Sequence, residues 1–262
     1  MTLPKGSGIV LLFALNGVPS TLPAQETYRS SQLNCAGFAE SIHASITTES
    51  GDRVRREIVQ QSGLLRLAAR DTGDAIAIEA WFDSLVVWRD AEEGRILPET
   101  DGVIGGRYRG LLSPDGRYLR TRSPFVPADI AEVINLATTM DDLLPPLPRI
   151  PLEPGQQWTD STGLVITRLA DSASAGGPLR RYEAILLVAP RAIAAEDSGG
   201  VAVVQGEEHR GVFVWHEAEG VRRWDREIRI ATEIPIGAGI RLPIRASVTQ
   251  RIELTRVSGK CR

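Results

Sequence analysis

The chain has 262 residues, of which 42% are hydrophobic, 5% aromatic and 24% charged, with a formal charge of −3. That near-even balance leaves no basic face for phosphate and argues against nucleic acid as a partner. The length suits one large β domain or two small ones.

Residues 1–24 read as an export signal, with Lys5 as the positive start, Ile9 to Val18 as a short apolar core and Ala24 as the last residue before cleavage. That core is too short for a bilayer, which needs about 20 apolar residues. The expectation is a periplasmic or extracellular protein with no integral membrane span. Residues 25–34 form a polar leader. Cys35 and Cys261 are the only cysteines and flank the mature body. In an oxidising compartment such a pair most simply forms one disulfide. Lipidation of Cys35 is the competing reading, but Gln32, Leu33 and Asn34 are not the small residues it needs.

From 35 to 125 the pattern is strand and turn. Residues 41–50 form a strand, with Gly51-Asp52 as its turn. Residues 53–70 fit a helix face or strands and are read as strands. From Ala75 to Arg89, Ile76, Ile78, Ala80, Phe82, Val86 and Trp88 share one parity, while Trp81, Leu85 and Val87 make the other partly apolar. This predicts a strand covered on both sides for part of its length. Ser113-Pro114-Asp115-Gly116 marks a hairpin turn.

Pro127 to Leu144 is read as the one central helix. Ile130, Val133, Ile134, Ala137, Met140 and Leu144 fall at three- and four-residue steps, a stripe along one face. At about 1.5 Å per residue it would be roughly 25 Å long. Pro145 and Pro146 end it, and residues 145–157 form a proline-rich connector. A second strand block, 158–262, repeats the style of the first. Its last strand, 242–257, alternates cleanly: Leu242, Ile244, Ala246, Val248, Ile252 and Leu254 face one way, and Arg245, Ser247, Thr249, Arg251, Glu253 and Thr255 the other. Strands this long persist in a strongly curved sheet. The predicted fold is mainly β: one domain, a large curved antiparallel meander, half-barrel-like, with the central helix against its concave face.

Catalytic chemistry is hard to find. Asp71-Thr72-Gly73 matches the triplet of aspartic proteases, but Arg70 and Asp74 flank it where apolar and small residues belong, so a hairpin turn is the better reading. His209 and His216 are an odd step apart and would face opposite ways on one strand, which makes no metal pair. No phosphate loop, nucleophile elbow or Cys-x-x-Cys is present. No catalytic residue, metal or cofactor is therefore expected. Trp81, Trp88, Trp215 and Trp224 are candidate ligand-binding residues that could line a cavity.

Two stretches, TDGVIGGRYRGLLSPDGRY (100–118) and LPPLPRIPLEPGQQW (144–158), give the chain a resemblance to uncharacterised exported β-rich bacterial proteins. The resemblance implies export and a β-rich fold and brings no activity. In architecture alone, a bent sheet holding a helix is similar to periplasmic lipoprotein carriers, half-barrels that hold acyl chains. The functional expectation is a non-enzymatic exported protein that binds an apolar small molecule such as a lipid. The alternative is a packed structural module that meets another envelope protein.

Overall fold

The computed structural model describes residues 25–174, 177–194, 202–234 and 243–258. Residues 1–24, read above as an export signal, and Cys261 lie outside the described residues.

The strands in chain order are β1 (Gly37–Ser50), β2 (Arg53–Asp71), β3 (Ile76–Ala91), β4 (Gly94–Ile96), β5 (Tyr108–Leu112), β6 (Tyr118–Arg122), β7 (Gln157–Thr159), β8 (Val165–Arg168), β9 (Ser172–Ser174), β10 (Gly177–Ala194), β11 (Ala202–His216), β12 (Gly220–Ile234) and β13 (Ile244–Val257). They form one curved sheet in the order β6-β5-β3-β2-β1-β13-β12-β11-β10-β8-β7, with β4 beside β3 and β9 beside β10. Every pairing is antiparallel. The expected meander is thus observed, and it stays open, with β6 and β7 at opposite edges. The two strand blocks are two wings of this sheet. The seam between them is the pairing of β1 with β13, which runs in register from Gly37↔Val257 to Ser50↔Ile244.

That order dictates the rest of the architecture. β6 and β7 are consecutive in the chain yet sit at opposite edges, so residues 123–156 must cross the sheet. They cross its inner face. Ile130, Val133, Leu136, Met140, Leu143, Leu144, Leu147 and Leu152 of the crossing segment share one core with Phe38, Leu65, Ile78, Phe82 and Phe213 of the strands. This crossing segment is hereafter the plug.

The plug corrects the predicted helix over 127–144. Only α2 (Ala128–Ala131) and a 3-10 turn, Leu136–Thr138, are helical. α1 is a separate short turn, Ser30–Leu33. The break is at Asn135, whose extended backbone leaves the helix while its side chain accepts a hydrogen bond from the Ala137 N–H at 3.1 Å. Val133, Ile134, Thr138 and Thr139 around it are β-branched and add little helix propensity. The apolar stripe nevertheless reaches the core, through three-residue turns such as Val133 N to Ile130 O and Asp141 N to Thr138 O.

The leader, expected only as a polar segment, packs into the same core. Tyr28 and Leu33 are buried, and the Tyr28 hydroxyl donates to Pro145 O at 2.8 Å. Its N–H donates to Pro114 O, while Leu147 N–H donates to Asp115 O. The Ser-Pro-Asp-Gly turn between β5 and β6 therefore clasps both the leader and the connector.

Candidate functional site

The four tryptophans fall on two faces. In β3 the alternation slips at a bulge, since Leu64 pairs with Ser84 but Leu65 with Phe82. Phe82, Leu85 and Val87 all point inward, and Val86 is 52% exposed. The apparent two-sided strand is one inward face interrupted by an extra residue. Trp81 and Trp88 thus lie on the outer face, roofed by arginines: Arg107 stands 3.8 Å from the Trp81 ring and Arg95 4.4 Å from that of Trp88. Trp215 and Trp224 point inward and are 2% and 6% exposed. They belong to a packed aromatic wall, in which Tyr182 stacks on Phe213 at 4.9 Å and Tyr28 meets Trp215 edge-on at 5.2 Å. Gly211 lets the Trp224 indole lie flat on β11, because a Cβ there would sit 2.5 Å from the ring.

The plug covers only one end of the long strands. Beyond it the inner face continues along β1, β13 and β12. Ile42, Ile228 and Ile252 form a second buried apolar cluster, with Ile230 against it. Val248, paired between Ile46 and Ile230, carries the stripe further. The stripe is three strands wide, and its flanks are polar. On one side Glu57 pairs with Arg55 at 2.9 Å and approaches Arg89 at 4.0 Å. On the other, Glu207 accepts from Gln205 at 2.8 Å and meets His209 at 3.0 Å. His209 and that Gln205 amide hold the Glu207 carboxyl below its usual range. The result is an apolar trough with charged rims.

A polar pocket lies where the trough meets the plug. It is a cavity of about 130 Å³ lined by Glu40, Gln61, Arg226 and Gln250 from four neighbouring strands, by Ile134, Asn135, Thr138, Thr139 and Asp142 from the plug, and by Ile42, Ile228 and Ile252. Glu40 and Gln61 are buried, and Gln61 Nε2 donates to Glu40 Oε2 at 2.5 Å. Burial pushes the Glu40 carboxyl up to about 7, against the opposing pull of Arg226 and the Gln61 hydrogen bond. Burial also lowers the pKa of the Arg226 guanidinium, against the pull of Asp142 and Glu40. Arg226 Nε and Gln61 Oε1 are buried and find no hydrogen-bond partner among the described residues.

Sequence reasoning missed this pocket, though a signal was there. Glu40, Gln61 and Arg226 each occupy an inward position of an otherwise apolar alternation: Phe38–Glu40–Ile42, Val59–Gln61 and Trp224–Arg226–Ile228. A polar residue at core parity is the anomaly to look for. Asp71-Thr72-Gly73 is the β2–β3 turn, where the Asp71 carboxylate accepts from Gly73 N–H at 2.8 Å. Among the described residues no group of three or more His, Cys, Asp or Glu could hold a metal ion. No helix described is long and apolar enough to cross a membrane.

No family model matches this sequence, and no curated protein matches it. Among solved structures, the chain is similar to a lipovitellin chain studied for its lipid–protein interactions, at 8% identity and a TM-score of 0.48, over 87% of this chain and 26% of that one. The chain thus spans about a quarter of the lipovitellin chain's length. It is also similar to a DUF1329 family protein from Desulfovibrio piger, at 10% identity and a TM-score of 0.17, over 88% of this chain and 89% of that one. A protein from Bacteroides fragilis, described as exported and of YmcC-like fold, matches at 10% identity and a TM-score of 0.13, over 80% and 93%.

Proposed function

We propose that this is a non-enzymatic exported protein that holds an apolar ligand, such as a lipid, in the uncovered half of its sheet. One observation carries the reading. The apolar inner face does not end at the plug but continues as the Ile42, Ile228, Ile252 and Ile230 cluster, which no described segment crosses beyond the plug and which is rimmed by charge. A stripe with polar margins fits a chain-like apolar molecule. The groups that converge at its inner end are the Glu40 and Asp142 carboxyls, the amides of Gln61, Gln250 and Asn135 and the Arg226 guanidinium, which bind and orient a head group.

The second reading, a packed module that meets another envelope protein, is favoured by the filled half around Trp215 and Trp224. Native mass spectrometry of the mature protein from the periplasm, followed by organic extraction, separates the two. The carrier reading expects a co-purifying acyl species at stoichiometric level. A ligand-free mass that stays ligand-free after incubation with acyl compounds sinks it. The same spectrum reads the cysteines. Among the described residues none is a free cysteine. The β1–β13 register pairs Gly37 with Val257, which supports a bond between Cys35 and Cys261. The proposed bond makes the mass two hydrogens light.

A further inference from the structure

We propose that the pocket of Arg226, Glu40 and Gln61 is the head-group site for a fatty carboxylate, whose acyl chain lies along Ile228, Ile252, Ile230 and Val248. This rests on the trough reading and names its ligand class. Arg226 projects from β12 between Trp224 and Ile228, and its Nε is buried without a partner. Glu40 and Asp142 face this cation yet leave its buried Nε without an acceptor, and an unsatisfied buried guanidinium N–H is costly. A carboxylate presents two oxygens to the planar guanidinium fork and satisfies it. The cavity, about 130 Å³, has room for a small head group, and the isoleucines that line it lead directly into the stripe.

The surrounding charges favour a monoanion. The groups facing the site are Glu40 from β1, Arg226 from β12 and the exposed Asp142 from the plug, with neutral Gln61, Gln250, Asn135, Thr138 and Thr139 completing it. The Tyr108 hydroxyl, behind Glu40, donates to Leu136 O. Two carboxyls beside the site repel a dianionic phosphate more than a carboxylate. A protonated Glu40 can donate a hydrogen bond to the ligand, whereas an ionised Glu40 repels it. Binding of the carboxylate therefore weakens as pH rises through about 7.

The test is a titration of the full mature chain with hexadecanoate, hexadecan-1-ol and a single-chain lysophosphatidate. Hexadecanoate is expected to bind at least about tenfold tighter than the alcohol, the scale of a charge-assisted hydrogen bond. Arg226→Gln abolishes that preference and leaves the alcohol unchanged. Equal affinities in the native protein, or a preference that survives Arg226→Gln, overturn the site while leaving the trough standing. Binding of none of the three overturns the trough itself. Tighter binding of the lysophosphatidate overturns the carboxylate assignment. If Arg226→Gln does not fold, Glu40→Gln carries the test. It strengthens hexadecanoate binding severalfold above pH 7, and indifference to it sinks the proposal.

Discussion

The two ends of the inner face are built from the same strands but are finished differently. At one end the plug and the leader bring Tyr28, Leu136 and Leu144 against Phe213, Trp215 and Phe38, and side chains fill the space. At the other end Ile42, Ile228 and Ile252 are buried mainly by one another and by the edge of the plug. The first end supplies stability. The second has no described segment across it beyond the plug's edge and places a buried charge beside its isoleucines, an arrangement that costs stability and that a ligand can offset.

Mutations can break or sharpen this contrast. The largest effect is expected at the filled end. Trp215→Ala removes a fully packed indole and should lower unfolding free energy by about 3–5 kcal/mol, whereas Ile230→Ala should cost about 1 kcal/mol or less. Denaturant titration measures both. Equal costs would show that the open end is core after all.

At the border, Glu40 makes stability depend on pH. Its carboxyl is raised in the folded protein from an ordinary 4.5 to about 7. The folded state thus holds the proton more tightly than the unfolded one, and the stabilisation is fully present below about 4.5 and lost as pH rises to about 7. The loss is on the order of 3 kcal/mol. Urea midpoints across this window should fall with pH in the native protein and stay level in Glu40→Gln. A parallel slope in both would remove Glu40 as the cause.

A smaller effect tests the aromatic wall. Gly211→Ala places a Cβ 2.5 Å from the Trp224 ring and 2.8 Å from Asp225 O, which should cost about 1–3 kcal/mol through overpacking. An unchanged melting temperature would mean that the indole has room to move, and that the filled end is less filled than its burial indicates.

Alternation made much of the sheet legible in advance. The last strand, β13, shows the inward and outward sets read from its parity, from Ala246 to Leu254. The Gly51-Asp52 and Ser-Pro-Asp-Gly turns stand where short-range chemistry put them. Two features were illegible for one reason: a single residue changed the count. The bulge before Leu65 and Leu85 swaps the faces of Val86 and Val87, so parity carried across it misplaces Trp88. Asn135, extended between α2 and the 3-10 turn, interrupts an apolar periodicity that runs on past it. The pocket was half legible. Glu40, Gln61 and Arg226 could be seen at inward positions, but not that they meet.

The sequence by itself determined that this is a β protein with long, one-sided strands, because alternation and turn residues act within a few positions of the chain. Only the tertiary structure decided which strands are neighbours, and with that everything distinctive about the molecule. The pairing of β1 with β13 joins residues some two hundred positions apart, and it is what sets Glu40 near Arg226. The separation of β6 from β7 forces the plug across one end of the face, and no other described segment crosses the remainder. No local pattern encodes either choice, since both arise from how distant apolar faces share a single core.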